Sequence, residues 1–122
     1  MVNQPVDLAV ARRWVGGDRT LLLELVGIFV GEAAARIAEL RSALTARDVR
    51  DLERLAHSLK SSAGILGAQD LQGLCAALEA AVREQRLEAA PELLARLDGE
   101  LTRVVAFFRD PAWQDRLDGV QP

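Results

Sequence analysis

The stretch LAHSLKSSAGILGA, Leu55 to Ala68, contains the only histidine of the chain, His57, and three residues later its only lysine, Lys60; the other fourteen basic residues are arginines. On a helical wheel with His57 at zero, Leu52, Leu55, Leu59 and Leu66 cluster within about 40° of the opposite pole. They predict a core stripe, and they turn His57 toward solvent. Positions +4, +7 and +11 from the histidine are Ser61, Gly64 and Ala68, so its own meridian predicts a strip without bulky side chains, edged by Lys60. Gly67 is a natural left-handed stop for this helix.

Working outward, the chain reads as helix almost throughout Asp7–Arg109. A short first helix covers Asp7 to Val15 and stops at Gly16 and Gly17. Asp18 can cap a second helix that carries Leu22, Leu25, Val26, Phe29, Ala33, Ile37, Leu40 and Leu44 on one face as far as Thr45. That helix is roughly 40 Å long. Asp48 caps the third, with Asp51 and Glu53 in its first turns favoured by the helix dipole. A fourth runs from about Asp70 to Arg86, and Pro91 opens a fifth in the position that costs no hydrogen bond. Short links between long amphipathic helices predict an all-α fold: an antiparallel up-and-down four-helix bundle with a short extra N-terminal helix across one end. The expected organisation is a single domain over 1–122, with 1–17 as entry segment and short helix. The tail 110–122 is expected to add a turn or two, or to fray.

Composition narrows the function. With 122 residues, a net charge of -3, three Phe, two Trp and no Tyr, the chain lacks the basic surface and stacking platforms of a nucleic-acid binder. A lone Cys75 excludes an intrachain disulfide framework and fits a reducing compartment. Met1 to Val10 shows no signal-peptide pattern, and the apolar window Thr20–Gly31 is too short to span a bilayer and contains Glu24. The expectation is a cytoplasmic protein without membrane insertion. One histidine and no His/Cys cluster leave no transition-metal constellation, so no metal or cofactor is expected. Gly27 and Gly31, four apart on the second helix, read as sites of close helix packing, with close approach of a partner as the alternative.

The chemistry of the central stretch follows from residue types. A histidine is largely neutral near pH 7, so its bare ring nitrogen is a nucleophile that needs no separate base. A phosphoryl group accepted there would call for a nearby cation, and a lysine three residues on lies on the same helical side. Lysine, a flexible point charge, suits a mobile phosphate better than an arginine fork. Ser58 beside His57 makes no hydrolase pair, because adjacent helical residues diverge by about 100°. By wheel position alone, a solvent-facing histidine near a lysine also describes ordinary helix surface.

AHSLKSSAGILGA resembles the His-Xaa-Xaa-Lys-Gly-Ser-Xaa-Gly-Xaa-Xaa-Gly-Ala signature of histidine-containing phosphotransfer (HPt) domains of two-component phosphorelays. DLAVARRWVGGDRTLLLELVGIFVGEAAARIAEL is similar to that family's entry helix, turn and long second helix, and LQGLCAALEAAVRE to the helix after the signature. The resemblance implies that His57 accepts the phosphoryl group, that Lys60 stabilises the phosphohistidine and that Gly64 keeps the ring accessible. It places Glu79 where the family often has Glu or Gln bonded to the imidazole; a solvated helix-face carboxylate is the other reading. Ser61 stands where the family has glycine, and would either crowd the ring or donate a hydrogen bond to the phosphate.

Further implications concern partners. Response-regulator receiver domains, among them that of a hybrid sensor histidine kinase, would donate and accept the phosphoryl group. The receiver would bring its own magnesium ion. No P-loop or kinase ATP-binding pattern occurs, so a phosphotransfer protein without autokinase activity is expected, acting as a monomer. Two alternatives remain at this stage: a helical scaffold or inhibitor whose His57 is never phosphorylated, and the phosphorylatable domain of a chemotaxis-type histidine kinase.

Overall fold

The computed structural model describes residues 4–119; the outermost positions of the entry segment (1–3) and of the tail (120–122) lie outside the described residues. Six α-helices and one 3-10 turn follow in order: α1 (Leu8–Trp14), α2 (Arg19–Thr45), α3 (Val49–Ile65), α4 (Gln69–Arg83), the 3-10 turn Leu87–Ala89, α5 (Ala90–Arg109) and α6 (Ala112–Asp118). Helix α2 packs on α3 and α5, and α4 packs on the same two, which closes a four-helix bundle. The links are short, so neighbours run antiparallel. The fold is the expected all-α bundle with an extra N-terminal helix.

Local capping sets most boundaries. Asp18 and Asp48 each accept a backbone N–H three residues on, from Leu21 at 3.0 Å and Asp51 at 3.1 Å. These bonds satisfy donors that a helix start leaves open. Asp7 does the same for α1, accepting from Ala9. At the other end of α3, Gly67 adopts φ +75°, and a Cβ there would lie 2.1 Å from the Asp7 carbonyl oxygen. The Asp7 N–H donates to the Gly67 carbonyl at 2.8 Å, so this glycine both stops α3 and seats α1.

Two expectations need correction, and the two readings of the tail are resolved. Helix α4 ends at Arg83 rather than Arg86, because Gln85 takes φ +59° and the N–H groups of Gln85 and Arg86 turn back to Val82 and Ala81. Over its described residues the tail adds two turns, as expected, rather than fraying: Trp113 and Leu117 of α6 are buried, and the Trp113 indole N–H donates to the Phe108 carbonyl at 2.9 Å. Its ring also meets Phe108 edge-to-face at 5.3 Å. That contact supplies the apolar anchor that keeps a short helix in place. Gly27 and Gly31 are exposed, and a Cβ at either would meet nothing within 4 Å, so they do not serve close helix packing.

The core runs the length of the bundle. Leu22 and Leu40 of α2, Leu52 and Leu59 of α3, Leu71 and Leu78 of α4, and Leu97 of α5 are at most 1% exposed. On α3 the buried stripe also includes Ala56 and Ala63, while Leu55 is only half-buried. Ala56 and Ala63 are fully buried, and α3 packs on α4 along the seam where the candidate site residues lie. Among the described residues no helix is long and apolar enough to cross a membrane.

Candidate functional site

His57 sits mid-way along α3 with its side chain 57% exposed, pointing away from the leucine stripe as the wheel requires. It leans to one flank, the seam with α4. There its Nδ1 lies 2.8 Å from Oε2 of Glu79. Glu79 is only 2% exposed, which overturns its reading as a solvated helix-face carboxylate. Leu78, Ala81 and Val82 around it in α4 are buried too. A carboxylate at that depth must find donors or lose its charge.

It finds three. Lys60 Nζ donates to Oε1 at 2.6 Å, while His57 Nδ1 and an Arg83 terminal nitrogen share Oε2 at 2.8 and 2.9 Å. Burial alone would raise the Glu79 pKa. Hydrogen bonds from Lys60 and His57, with the charges of Lys60 and Arg83, outweigh it and hold the carboxyl below its ordinary 4.5. Glu79 is therefore ionised near neutral pH and can only accept. This assigns a proton to Nδ1. Nε2 has no hydrogen-bond partner among the described residues. The imidazole is held by its Nδ1 edge, with more than half of the side chain in solvent.

The other residues singled out in the sequence fall as follows. Ser61 is exposed one turn beyond His57, and its hydroxyl donates to the His57 carbonyl at 3.2 Å. The hydroxyl is committed to the backbone, as serine in a helix interior commonly is. Gly64 does not border open space: a Cβ there would lie 2.5 Å from the side-chain nitrogen of Gln72 on α4. The small-residue strip ends at that point, because Ala68 is fully buried. The wheel fails for Ala68 since α3 stops at Ile65 and Gly67 redirects the chain. Ser58 lies on the opposite flank, lining a groove with Glu32, Ala35 and Arg36 of α2.

Two members of the site were not found by sequence reasoning. Arg83 donates to Glu79 from the next turn of α4 and, through Nε, to Glu53 of α3. The i,i+4 spacing of Glu79 and Arg83 was the available signal, and it is common on helix surfaces. Gln72, seven residues before Glu79, is the other. Cys75, one turn from Glu79, is fully buried, and burial pushes its thiol up to about 12. It is an inert core residue. Among the described residues no group of three or more His, Cys, Asp or Glu is placed to hold a metal ion.

Comparison with known proteins agrees with this geometry. The fold is similar to the crystal structure of histidine-containing phosphotransfer protein B (HptB) from Pseudomonas aeruginosa PAO1, with 26% identity, a TM-score of 0.81, and coverage of 98% of this chain and 100% of that one. It is also similar to the HPT domain of the Hpt sensor hybrid histidine kinase from Shewanella, at 20% identity and a TM-score of 0.80 over 91% of this chain and 96% of that one, a likeness of fold. No curated protein matches by sequence. The Hpt domain family model matches residues 24–107, which is more than half of the chain and includes α3, α4 and the whole His57–Glu79 seam. The chain therefore belongs to the Hpt domain family, the histidine-containing phosphotransfer domains.

Proposed function

We infer that this protein is a phosphorelay intermediate in which His57 accepts a phosphoryl group from the aspartyl phosphate of one receiver domain and passes it to the aspartate of another. The observation that supports the reading most directly is the split environment of the ring: Nδ1 fixed by a buried carboxylate, Nε2 open to an incoming group.

In the transfer, the Nε2 lone pair attacks phosphorus as the bond from phosphorus to the aspartate oxygen breaks, and the carboxylate departs with that electron pair. Nδ1 keeps its proton. The positive charge that develops on the imidazole is offset by Glu79 across the Nδ1–H bond, the role an orienting carboxylate plays behind any histidine nucleophile. Lys60 supplies the cation for the phosphoryl oxygens. Positioning and charge neutralisation are what phosphoryl transfer requires of a protein. Passing the group on reverses these steps and returns the lone pair to Nε2. The receiver would contribute its own magnesium ion, and the chain has no ATP-binding pattern, so it acts as a carrier without autokinase activity.

Receiver domains would dock over the ring, on Ser61 and the Gly64–Gln72 contact, extending along α2. There Leu21 and Ile28 are 40% and 57% exposed, with Gly27 and Gly31 bare between and beyond them. The protein would do this as a monomer in the cytoplasm, where hybrid-kinase receivers are found. Incubation with a phosphorylated receiver is expected to give acid-labile label on the wild type and none on His57→Gln. Label that persists in the variant would overturn the assignment, and no transfer from any receiver would favour a scaffold.

A further inference from the structure

The three donors on Glu79 are not equivalent. Lys60 alone holds Oε1, while His57 and Arg83 share Oε2. Along α3 the ring lies between the two cations: Lys60 is three residues toward the C-terminus, and Glu53, to which Arg83 is tied, is four residues toward the N-terminus. Arg83 thus straps α4 to α3 on the side of His57 away from the lysine. Its fork is braced at Nε by Glu53, so the terminal nitrogen is held toward Glu79 without relying on the ring. Among the described residues Lys60 has no second carboxylate partner of this kind; its one ion pair there is with Glu79.

This matters once a phosphoryl group sits on Nε2, a step that rests on the function proposed above. The lysine best placed to meet it is already engaged, 2.6 Å from Glu79. Turning to the phosphoryl oxygens loosens its hold on a carboxylate that water barely reaches, and weakening a donor to a buried anion is costly. We propose that Arg83 is a positioning residue that keeps Glu79 on the His57 ring while Lys60 turns to the phosphoryl group. The two cation types divide the labour: the mobile ammonium follows the phosphate, and the braced guanidinium stays with the carboxylate.

The test uses phosphoramidate, a small phosphoryl donor, so that no receiver docks and any docking role of Arg83 is removed. Uptake is followed by phosphorus NMR on the full chain, and the ring tautomer by nitrogen-15 NMR of labelled histidine. Arg83→Ala is expected to slow uptake about two- to fivefold, the size of losing one exposed ion pair. Arg83→Lys is expected to recover part of that rate. The free protein should keep its proton on Nδ1 in Arg83→Ala, because Lys60 still holds Glu79. In a Lys60→Ala background Arg83 is the one cation of the pair left on Glu79, so the same substitution should slow uptake at least as much. Uptake by Arg83→Ala at the wild-type rate, or no slowing by the substitution once Lys60 is removed, would overturn the inference. A wild type that takes no label on His57 would instead refute the acceptor assignment, and this inference with it.

Discussion

Two glutamates are buried in this bundle, and they are treated differently. Glu79 on α4 accepts three charge-assisted bonds, two of them from α3 across the seam. Glu100 on α5 is 9% exposed and accepts from Arg103 at 2.8 Å through Oε1, whereas its Oε2 is buried without a partner among the described residues. Each has an arginine three or four residues on along its own helix. The difference is that a neighbouring helix brings donors to one and not to the other. A carboxylate supplied with donors from two helices becomes an organised site that orients the His57 imidazole. One supplied only locally stays half-satisfied, which subtracts from stability.

Substitutions can sharpen or break that contrast. The largest effect is expected from Glu79→Gln, which keeps shape but removes the charge behind the imidazole. Phosphoryl uptake at His57 should fall about 10- to 100-fold, by analogy with the loss of the hydrogen-bond partner that fixes a metal-bound imidazole. Single-turnover kinetics with a phosphorylated receiver measure it, and an unchanged rate would make Glu79 a structural residue like any other. Stability should move little by comparison. The His57 and Arg83 side chains are 57% and 59% exposed, so water replaces Glu79 for both.

Glu100→Met is expected to act in the opposite direction. It removes an unsatisfied buried oxygen and leaves apolar surface in its place, which should raise stability by about 1 kcal/mol and the melting temperature by a few degrees. Destabilisation by Glu100→Met would show that its second oxygen is served in solution, and the contrast between the two glutamates would dissolve.

The smallest effect is the acid limb of the stability curve. The Glu79 carboxyl is held below its ordinary 4.5, so its contribution is present above that value and is lost as pH falls toward the lowered folded one. Wild type and Glu79→Gln should therefore differ most near neutrality and converge as pH falls from 4.5 through the lowered folded value. Urea midpoints measured across that window check the sign. A gap that widens on acidification would contradict the ionised state assigned to Glu79.

Some of this was legible in the chain and some was not, for identifiable reasons. Asp18, Asp48 and Gly67 could be read because capping and left-handed stops involve groups within a few residues of each other. His57 could be placed outward because its own helix carries enough leucines to fix the opposite pole. Gly27 and Gly31 were misread as packing sites, since a bare position looks the same in sequence whether a helix or solvent faces it. Gly64 shows the converse, with Gln72 arriving from α4 over a position that seemed open. The tail helix depends on Trp113 finding Phe108, five residues earlier but across a turn that Pro111 makes hard to extrapolate.

The sequence by itself determined the helices, their order and the solvent-facing histidine with a lysine a turn away, because these follow from periodicity and short-range chemistry. Only the tertiary structure decided that Glu79 is buried, that it binds His57, Lys60 and Arg83 together, and that Arg83 reaches back to Glu53. The reason is physical: a charge's depth and partners depend on the register of α4 against α3, and that register is set by packing along the whole seam rather than by any one stretch of chain.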